Sequence, residues 1–403
     1  MSDNPFLDPE FLKCPYPTFK QLREAAPVMH MEQMGMYLVT GYDQARKVLL
    51  SPDRFSSQVD IPSRHSEAAT KIVEEEGYGR GAPALQNADE PVHTVHRNLV
   101  NEAFRPKRIR QMSDYVDKIV EELLDDITSA SSQADIVRNF AIPLPLIVIA
   151  DQLGIPRDKY RTFKEWSDAW LEGLGSELSE DRMIHNAKLV VEMQRYLAER
   201  IEERRSAPKE DILSDLAQAE IDGQPVLTKT IMAIVEQLLV AGNETTTNGI
   251  AAGIYMLASN KELHQKLKNQ PELVKEFVEE VLRTEAPVQC LFRRAVADEE
   301  MGGVTIPVES VVMVHYGAAN RDESRFNNAD TFDLERPKKG AHLAFGSGIH
   351  HCIGSELARV EMAAAFKAFT QRFSSIVLCD EDVAYHPTFA LRGLQALKVR
   401  CTE

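Results

Sequence analysis

Ten residues, Phe345-Gly346-Ser347-Gly348-Ile349-His350-His351-Cys352-Ile353-Gly354, carry the first chemical signal in this chain. The glycines ahead of the cysteine let the backbone turn tightly and approach a flat ligand closely, where a β-carbon would collide. After Cys352, the stretch Gly354-Ser355-Glu356-Leu357-Ala358-Arg359-Val360-Glu361-Met362-Ala363 has strong helix formers behind an early glycine. The sulfur is therefore expected beside a helix N-terminus, where free N–H groups and the helix dipole favour an anion, here a thiolate. Two blander readings stand beside this one. An isolated cysteine also serves as a small buried hydrophobe. The run His350-His351-Cys352 contains zinc-ligand types, but three adjacent residues do not readily span three corners of a tetrahedron. No C-x-x-C or H-x₃-H partner completes such a site.

A second signal lies at Ala241-Gly242-Asn243-Glu244-Thr245-Thr246-Thr247-Asn248. It interrupts an otherwise strong helical pattern from Thr228, a candidate cap, to about Leu257, roughly 45 Å at 1.5 Å per residue. Gly costs about 1 kcal/mol relative to Ala in a helix, and three successive β-branched threonines are poor formers. A local rule broken inside a strong helix marks a candidate functional site. A threonine hydroxyl here can bond the carbonyl four residues back, at Ala241, and open the helix to water. Glu244 supplies a titratable acid beside it, so Glu244 and Thr245 form a candidate acid–alcohol relay for protons. A glycine kink whose threonines satisfy their own backbone is the alternative. Elsewhere, Glu280 and Arg283 lie one helical turn apart and can pair. The same spacing recurs at Glu102/Arg105, Glu192/Arg195, Glu202/Arg205 and Glu356/Arg359, which read as solvated surface pairs worth well under about 1 kcal/mol.

These motifs resemble the cytochrome P450 family. Phe345, Gly346, Gly348, His350, Cys352 and Gly354 match its haem-ligand loop, and Glu244-Thr245 matches its Ala/Gly-Gly-x-Asp/Glu-Thr signature. The resemblance covers nearly the whole chain, in order. It implies a mainly α fold with small β-sheets near the N-terminus and C-terminus, built as one domain over residues 1–403. It implies haem b, with the Cys352 thiolate as axial ligand of the iron. Phe345, Gly346, Gly354 and Ala241 are then cofactor-binding. The haem propionates fall to His93 and Arg97 (an i, i+4 pair on a helix opened by Asp89-Glu90-Pro91), to Arg293 on a strand, and to His350. Arg294 points to the opposite face of that strand. Arg336 joins Glu280 and Arg283 in a buried network supporting the haem loop. By position, Gln237, Val240, Ala241, Val288, Gln289, Leu291 and Phe389-Ala390-Leu391 face the substrate pocket. That lining is mostly apolar with two amides, which suits an apolar substrate carrying one or two oriented polar groups. Residues 55–89 form the lid.

The function implied is hydroxylation of a hydrophobic small organic molecule (steroid, terpenoid, fatty acid or aromatic) with dioxygen and two electrons. The chain has no flavin or iron–sulfur motif, so the electrons come from a ferredoxin and its ferredoxin reductase. Arg105, Lys107, Arg108 and Arg110 are a basic cluster that can help to dock an acidic ferredoxin, or a basic loop with no partner. A peroxygenase or nitric oxide reductase on the same fold, and a non-catalytic haem-binding sensor or carrier, are the rival functions. The Glu244–Thr245 pair and the lid speak against them.

The elements that must position these residues follow from 403 residues, 43% of them hydrophobic. A formal net charge of −16 argues against nucleic acid as a partner. The opening Met1-Ser2-Asp3-Asn4-Pro5-Phe6-Leu7-Asp8-Pro9 has neither a basic nor an apolar signal region, and no run of about 18 apolar residues exists. A cytoplasmic monomer of the bacterial type, without a membrane anchor, is expected. Cys14, Cys290, Cys352, Cys379 and Cys401 form an unpatterned set suited to a reducing compartment. Helices are expected over Pro17–Ala26, Tyr42–Leu50, 107–127, 157–205 and 226–258, a hairpin over Val28–Thr40, and strands at Val311–Val314 and in the last 15 residues. The Ser-rich stretch Thr128–Gln133 is expected to be a helix-to-strand loop, not a linker.

Overall fold

The computed structural model describes residues 5–59, 66–79, 83–130, 133–337, 340–380 and 382–403. The chain packs as two compact units, each discontinuous in sequence. The first comprises Met1–Ser56, Pro106–Pro145 and Glu244–Glu403; the second comprises Ser57–Arg105 and Leu146–Asn243. Among the described residues no helix is long and apolar enough to cross a membrane.

The first unit holds the larger sheet. Val28–Met31 pairs antiparallel with Met36–Val39, as the hairpin pattern requires. Val311–His315 then joins Met36–Val39 in parallel and Cys290–Ala295 antiparallel, with Phe55–Ser56 at the far edge. Val28, Val39, Val48, Leu49, Phe55, Val312 and Val314 are buried together on one face, with Tyr42 of the helix Tyr42–Leu49. A second sheet orders Ser375–Leu378, Lys398–Thr402 and Gln133–Asp135, all antiparallel. Burial along Cys290–Ala295 places Arg293 inside and leaves Arg294 half-exposed, where it pairs with Glu309 at 2.5 Å.

In the second unit the helix Glu180–Ser206 is the hub. Against it lie Glu67–Glu76, capped by the Ser66 hydroxyl, and Tyr160–Leu171. Phe163 meets Trp166 and Tyr196 edge to face, and Trp166 and Tyr196 are tilted against each other, with ring centroids 4.8–5.6 Å apart. The helical pattern over 157–205 is thus two helices, because Gly173 and Gly175 take φ of 99° and 73° between them. Likewise 107–127 divides into Pro106–Gln111 and Ser113–Ala130. The expected loop after Thr128 begins beyond Ala130, and its residues 131–132 lie outside the described residues. So do residues 60–65 and 80–82 of the expected lid.

The helix Thr228–Ser259 contributes its first half to the second unit and its second half to the first. Thr228 does not serve as a cap by its side chain, since its hydroxyl bonds Glu202 at 2.9 Å.

Candidate active site

The cysteine loop is closed by its own backbone. Gly346 N–H donates to the Leu343 carbonyl at 2.8 Å, and Cys352 N–H to the Phe345 carbonyl at 2.9 Å. Gly346 and Gly348 have φ of 67° and 74°, the left-handed region that disfavours side chains. At Gly348 a β-carbon would also stand 2.4 Å from the Leu49 carbonyl oxygen. His350 ends a short 3₁₀ turn, Gly348–His350, just before the cysteine. The helix Ser355–Arg372 starts three residues beyond Cys352, with Gly354 as its N-cap. Cys352 is solvent-accessible, whereas Cys290 is buried. That disposes of the buried-hydrophobe reading. Among the described residues no group of three His, Cys, Asp or Glu could hold a metal ion, which removes the zinc reading as well.

The long helix Thr228–Ser259 stays helical through its unfavourable centre, without the opening expected at the threonines. Tertiary packing overrides the propensities. Thr247 donates its hydroxyl to the Ala141 carbonyl at 2.9 Å, and Gly249 and Gly253 admit Met362 and Phe366 of the following helix. In a helix otherwise buried from Ile231 to Ile250, the accessible positions are Gln237, Ala241, Gly242, Glu244 and Thr245. Gln237, Ala241 and Glu244/Thr245 recur at helical spacing, so one stripe of this helix is open. Glu244 and Thr245 are on it.

Behind the cysteine loop, Glu280 is the hub of a buried ion network. It receives Arg283 Nη2 and Nε at 2.7 and 2.9 Å, Arg336 Nε at 3.0 Å, and the Asp333 N–H at 2.9 Å. The two guanidiniums also donate to the carbonyls of Asn320, Asn327, Asn328, Ala329 and Thr331. Burial would raise the Glu280 carboxyl, but Arg283 and Arg336 hold it below the usual carboxylate range. Three partners expected from the sequence thus meet in one cluster.

A neighbouring network was not foreseen. Glu279 pairs with Arg359 at 2.6 Å and with His342 Nε2 at 3.1 Å, and Arg359 lies 4.5 Å over the Phe345 ring. Arg359 was read as a surface partner of Glu356; that contact exists at 3.2 Å, but Glu279 is the stronger one. Glu361, also missed, is fully buried with one carboxyl oxygen lacking a hydrogen bond, and burial pushes it up to about 8. A glutamate on the inner face of a helix, one residue from the packed Met362, was the available signal.

The remaining expected residues divide as follows. Arg293 is buried, donates to its neighbour's carbonyl on Phe292, and pairs with no carboxylate among the described residues. A buried guanidinium in that state suits an anionic ligand, since an unpaired buried charge is otherwise costly. His93 and Arg97 belong to the helix Val92–Asn101 of the second unit. His93 is buried there, and desolvation lowers its pKa in spite of Glu90 at 3.5 Å. The pocket sketch needs correcting at both amides. Gln237 accepts from Gln86 N–H at 2.9 Å and donates to Asn87 at 3.0 Å, so it fastens the turn Leu85–Asn87. Gln289 donates to the carbonyls of Glu285 and Ala286 at 2.7 and 2.8 Å, capping the helix Val274–Glu285. Gln289 Oε1, by contrast, is buried with no hydrogen-bond partner among the described residues. Val240 and Ala390 are fully buried, Leu291 and Phe389 partly, and Val288 bridges to Leu391.

An accessible cysteine thiol on a glycine loop, a buried unpaired arginine and an open stripe with an acid–alcohol pair define a haem-thiolate site, and the residues fit that cofactor. Residues 176–392 match the family profile "Cytochrome P450". The chain is 35% identical to 6-deoxyerythronolide B hydroxylase of Saccharopolyspora erythraea over 396 residues, covering 96% of this chain and 95% of that one. Two solved structures resemble it along nearly their whole length. CYP109E1 from Bacillus megaterium in complex with testosterone has a TM-score of 0.87 at 32% identity, covering 98% of this chain and 99% of that one. P450BioI in complex with a hexadec-9Z-enoic acid ligated acyl carrier protein has 0.89 at 30% identity, with the same coverage. This chain belongs to the cytochrome P450 family. It is a haem-dependent monooxygenase with the P450 fold, and its cofactor is haem b.

Proposed function

We propose that this chain hydroxylates a hydrophobic small organic molecule, using dioxygen and two electrons delivered by a ferredoxin and ferredoxin reductase. The observation that carries the reading is the solvent-accessible Cys352 on its closed glycine loop. Bound through that sulfur, haem supplies dioxygen activation, which an electron-rich thiolate promotes. The chain's own residues do the rest. Arg293, His350, His93 and Arg97 take the cofactor's carboxylates. Phe345, Gly346 and Gly354 shape the loop against it, and Ala241 leaves room on the helix. Glu244 and Thr245 form the acid–alcohol relay for protons. Glu280, Arg283 and Arg336 keep the loop in place. Residues 1–403 act as one functional domain on this reading, since neither unit is a continuous segment.

The substrate class is a steroid, terpenoid, fatty acid or aromatic, met by the apolar side chains of Val240, Val288, Leu291, Phe389 and Ala390. The names of two relatives point the same way: testosterone and a hexadecenoic acyl group. Arg105 is paired with Glu102 at 2.7 Å, which leaves Lys107 and Arg110, both exposed, as the main candidates for ferredoxin docking, with Arg108 beside them. The protein acts as a cytoplasmic monomer.

The deciding experiment is the absorption spectrum of the purified protein after reduction with dithionite and addition of carbon monoxide. A strongly red-shifted Soret band is expected. A conventional band would mean that Cys352 is protonated or displaced, and the absence of haem would overturn the reading.

A further inference from the structure

Consecutive glutamates on the helix Val274–Glu285 anchor two different arginines. Glu280 holds Arg283 and Arg336; Glu279 holds Arg359, by Nε to Oε1 at 2.6 Å and Nη2 to Oε2 at 3.3 Å. His342, buried, meets Glu279 Oε2 at 3.1 Å, and its Nδ1 accepts from the Ala344 N–H at 3.3 Å. Arg359 comes from the helix that follows the cysteine and covers the Phe345 ring at 4.5 Å. The Phe345 carbonyl in turn receives the Cys352 N–H at 2.9 Å. The Arg359 guanidinium therefore rests on the residue that closes the cysteine loop. It is electrostatically coupled to both Glu279 and Cys352. Burial alone would raise the Glu279 carboxyl, but His342 and Arg359 hold it at about 2, so it is ionised at any working pH.

The geometry points to Glu279 and Arg359 as positioning residues that set how much positive charge the Cys352 sulfur experiences, and thereby the reduction potential of the bound iron. The inference rests on Cys352 being the iron ligand. A cation near the thiolate stabilises the charge on sulfur, weakens its donation to iron and favours the ferrous state. Glu279 offsets Arg359 at contact distance, with the half-exposed Glu356 as a second carboxylate at 3.2 Å. Removing the Glu279 or the Arg359 charge changes the field at the sulfur, and the two removals act in opposite directions. A purely structural tether would not have that property, since loosening the loop from either end disturbs it in the same sense.

The test is a spectroelectrochemical titration of haem-loaded wild type, Glu279→Gln, Arg359→Gln and Arg359→Lys, with redox dyes carrying the single electron. At a fixed poise, Glu279→Gln is expected to raise the ferrous-to-ferric ratio by about three- to tenfold and Arg359→Gln to lower it similarly, the scale of one unit charge at an effective dielectric near 20. A tenfold change equals 59 mV for one electron. Arg359→Lys keeps the charge and should stay within about twofold of wild type. Shifts of the same sign, or ratios all within twofold, overturn the inference. Should Arg359→Gln fail to retain haem, Glu279→Gln must still rise while Arg359→Lys stays; no rise overturns it. The wild-type carbon monoxide spectrum separates the two failures, because a missing red-shifted band sinks the haem-thiolate reading itself.

Discussion

Two side-chain clusters of this protein bury glutamates, and they treat them in opposite ways. In the first unit, Glu279 and Glu280 each face arginine and stay ionised, Glu279 at about 2. In the second unit, Glu236 of the long helix is buried without a cation. Its neighbours are Trp170 from Tyr160–Leu171 and Gln194 from Glu180–Ser206, and burial pushes its carboxyl up to about 7. Gln194 also grips the chain after the helix Glu67–Glu76, accepting from Tyr78 N–H at 2.9 Å and donating to the Gly79 carbonyl at 3.1 Å. The two ion clusters behind the cysteine loop are thus held by carboxylates that stay ionised, while Glu361, on the helix after the cysteine, is a raised carboxyl like Glu236. The segment expected to cover the substrate is fastened by the amide of Gln194, near a carboxyl that can titrate, and by the Arg195 guanidinium, which donates to the Glu76 carbonyl at 2.8 and 3.2 Å. A support for a metal ligand has to hold one geometry, while a lid has to let go.

The largest effect should come from breaking the first kind. Glu280→Ala leaves Arg283 and Arg336 buried with their carbonyl partners but no counter-charge. Loss of one partner from a buried ion network costs about 3–5 kcal/mol. Urea unfolding of the variant should show that loss, together with faster haem release. A change under about 1 kcal/mol would mean that the backbone carbonyls alone satisfy the two guanidiniums, and the contrast between the clusters would weaken.

Glu236 sharpens the comparison through pH. Its pKa is about 7 in the folded chain against 4.5 for an ordinary glutamate. Below pH 4.5 the group is protonated in both states and the site costs nothing. As pH rises from 4.5 to about 7 the unfolded chain loses its proton first, so stability falls across that window and is level above it. The span corresponds to at most about 3 kcal/mol. Glu236→Gln should therefore be more stable than wild type by about 2–3 kcal/mol at pH 8 and close to it at pH 4.5, by urea unfolding. An equal difference at both values would show that the carboxyl is solvated in the folded protein.

The cysteine loop was legible in the sequence because its determinants are contiguous: two left-handed glycines, the cysteine, and a helix that starts at once. Glu280 and Arg283 were legible because three residues make a turn. Glu279 and Arg359 lie 80 residues apart, and a local spacing, Glu356/Arg359, offered a competing partner that hid the longer one. Gln237 and Gln289 misled for the same reason. Position placed both near the pocket, but what an amide bonds depends on which carbonyls the fold leaves unpaired. The threonine run misled in reverse: its poor propensity is real, and the Ala141 carbonyl, 106 residues away, absorbs part of it.

Gln289 gives the smallest effect and the most direct test of that lesson. Its amide donates to the carbonyls of Glu285 and Ala286, where the helix ends and Ala286 takes a left-handed φ of 39°. The amide packs so closely on Gly317 that a β-carbon there would stand 2.3 Å from the Gln289 Oε1. Leucine at 289 fills similar space but leaves two carbonyls at a buried helix end unpaired, which costs about 1–3 kcal/mol. Gln289→Leu should accordingly lower the urea midpoint, while the half-saturation of the spin-state shift produced by an apolar probe ligand changes by less than about twofold. Unchanged stability with a several-fold change in half-saturation would return Gln289 to the pocket. The helix Val274–Glu285 would then need another cap, and its last turn is also where Arg283 leaves for the Glu280 network. The amide and the ion network therefore hold the same helix end.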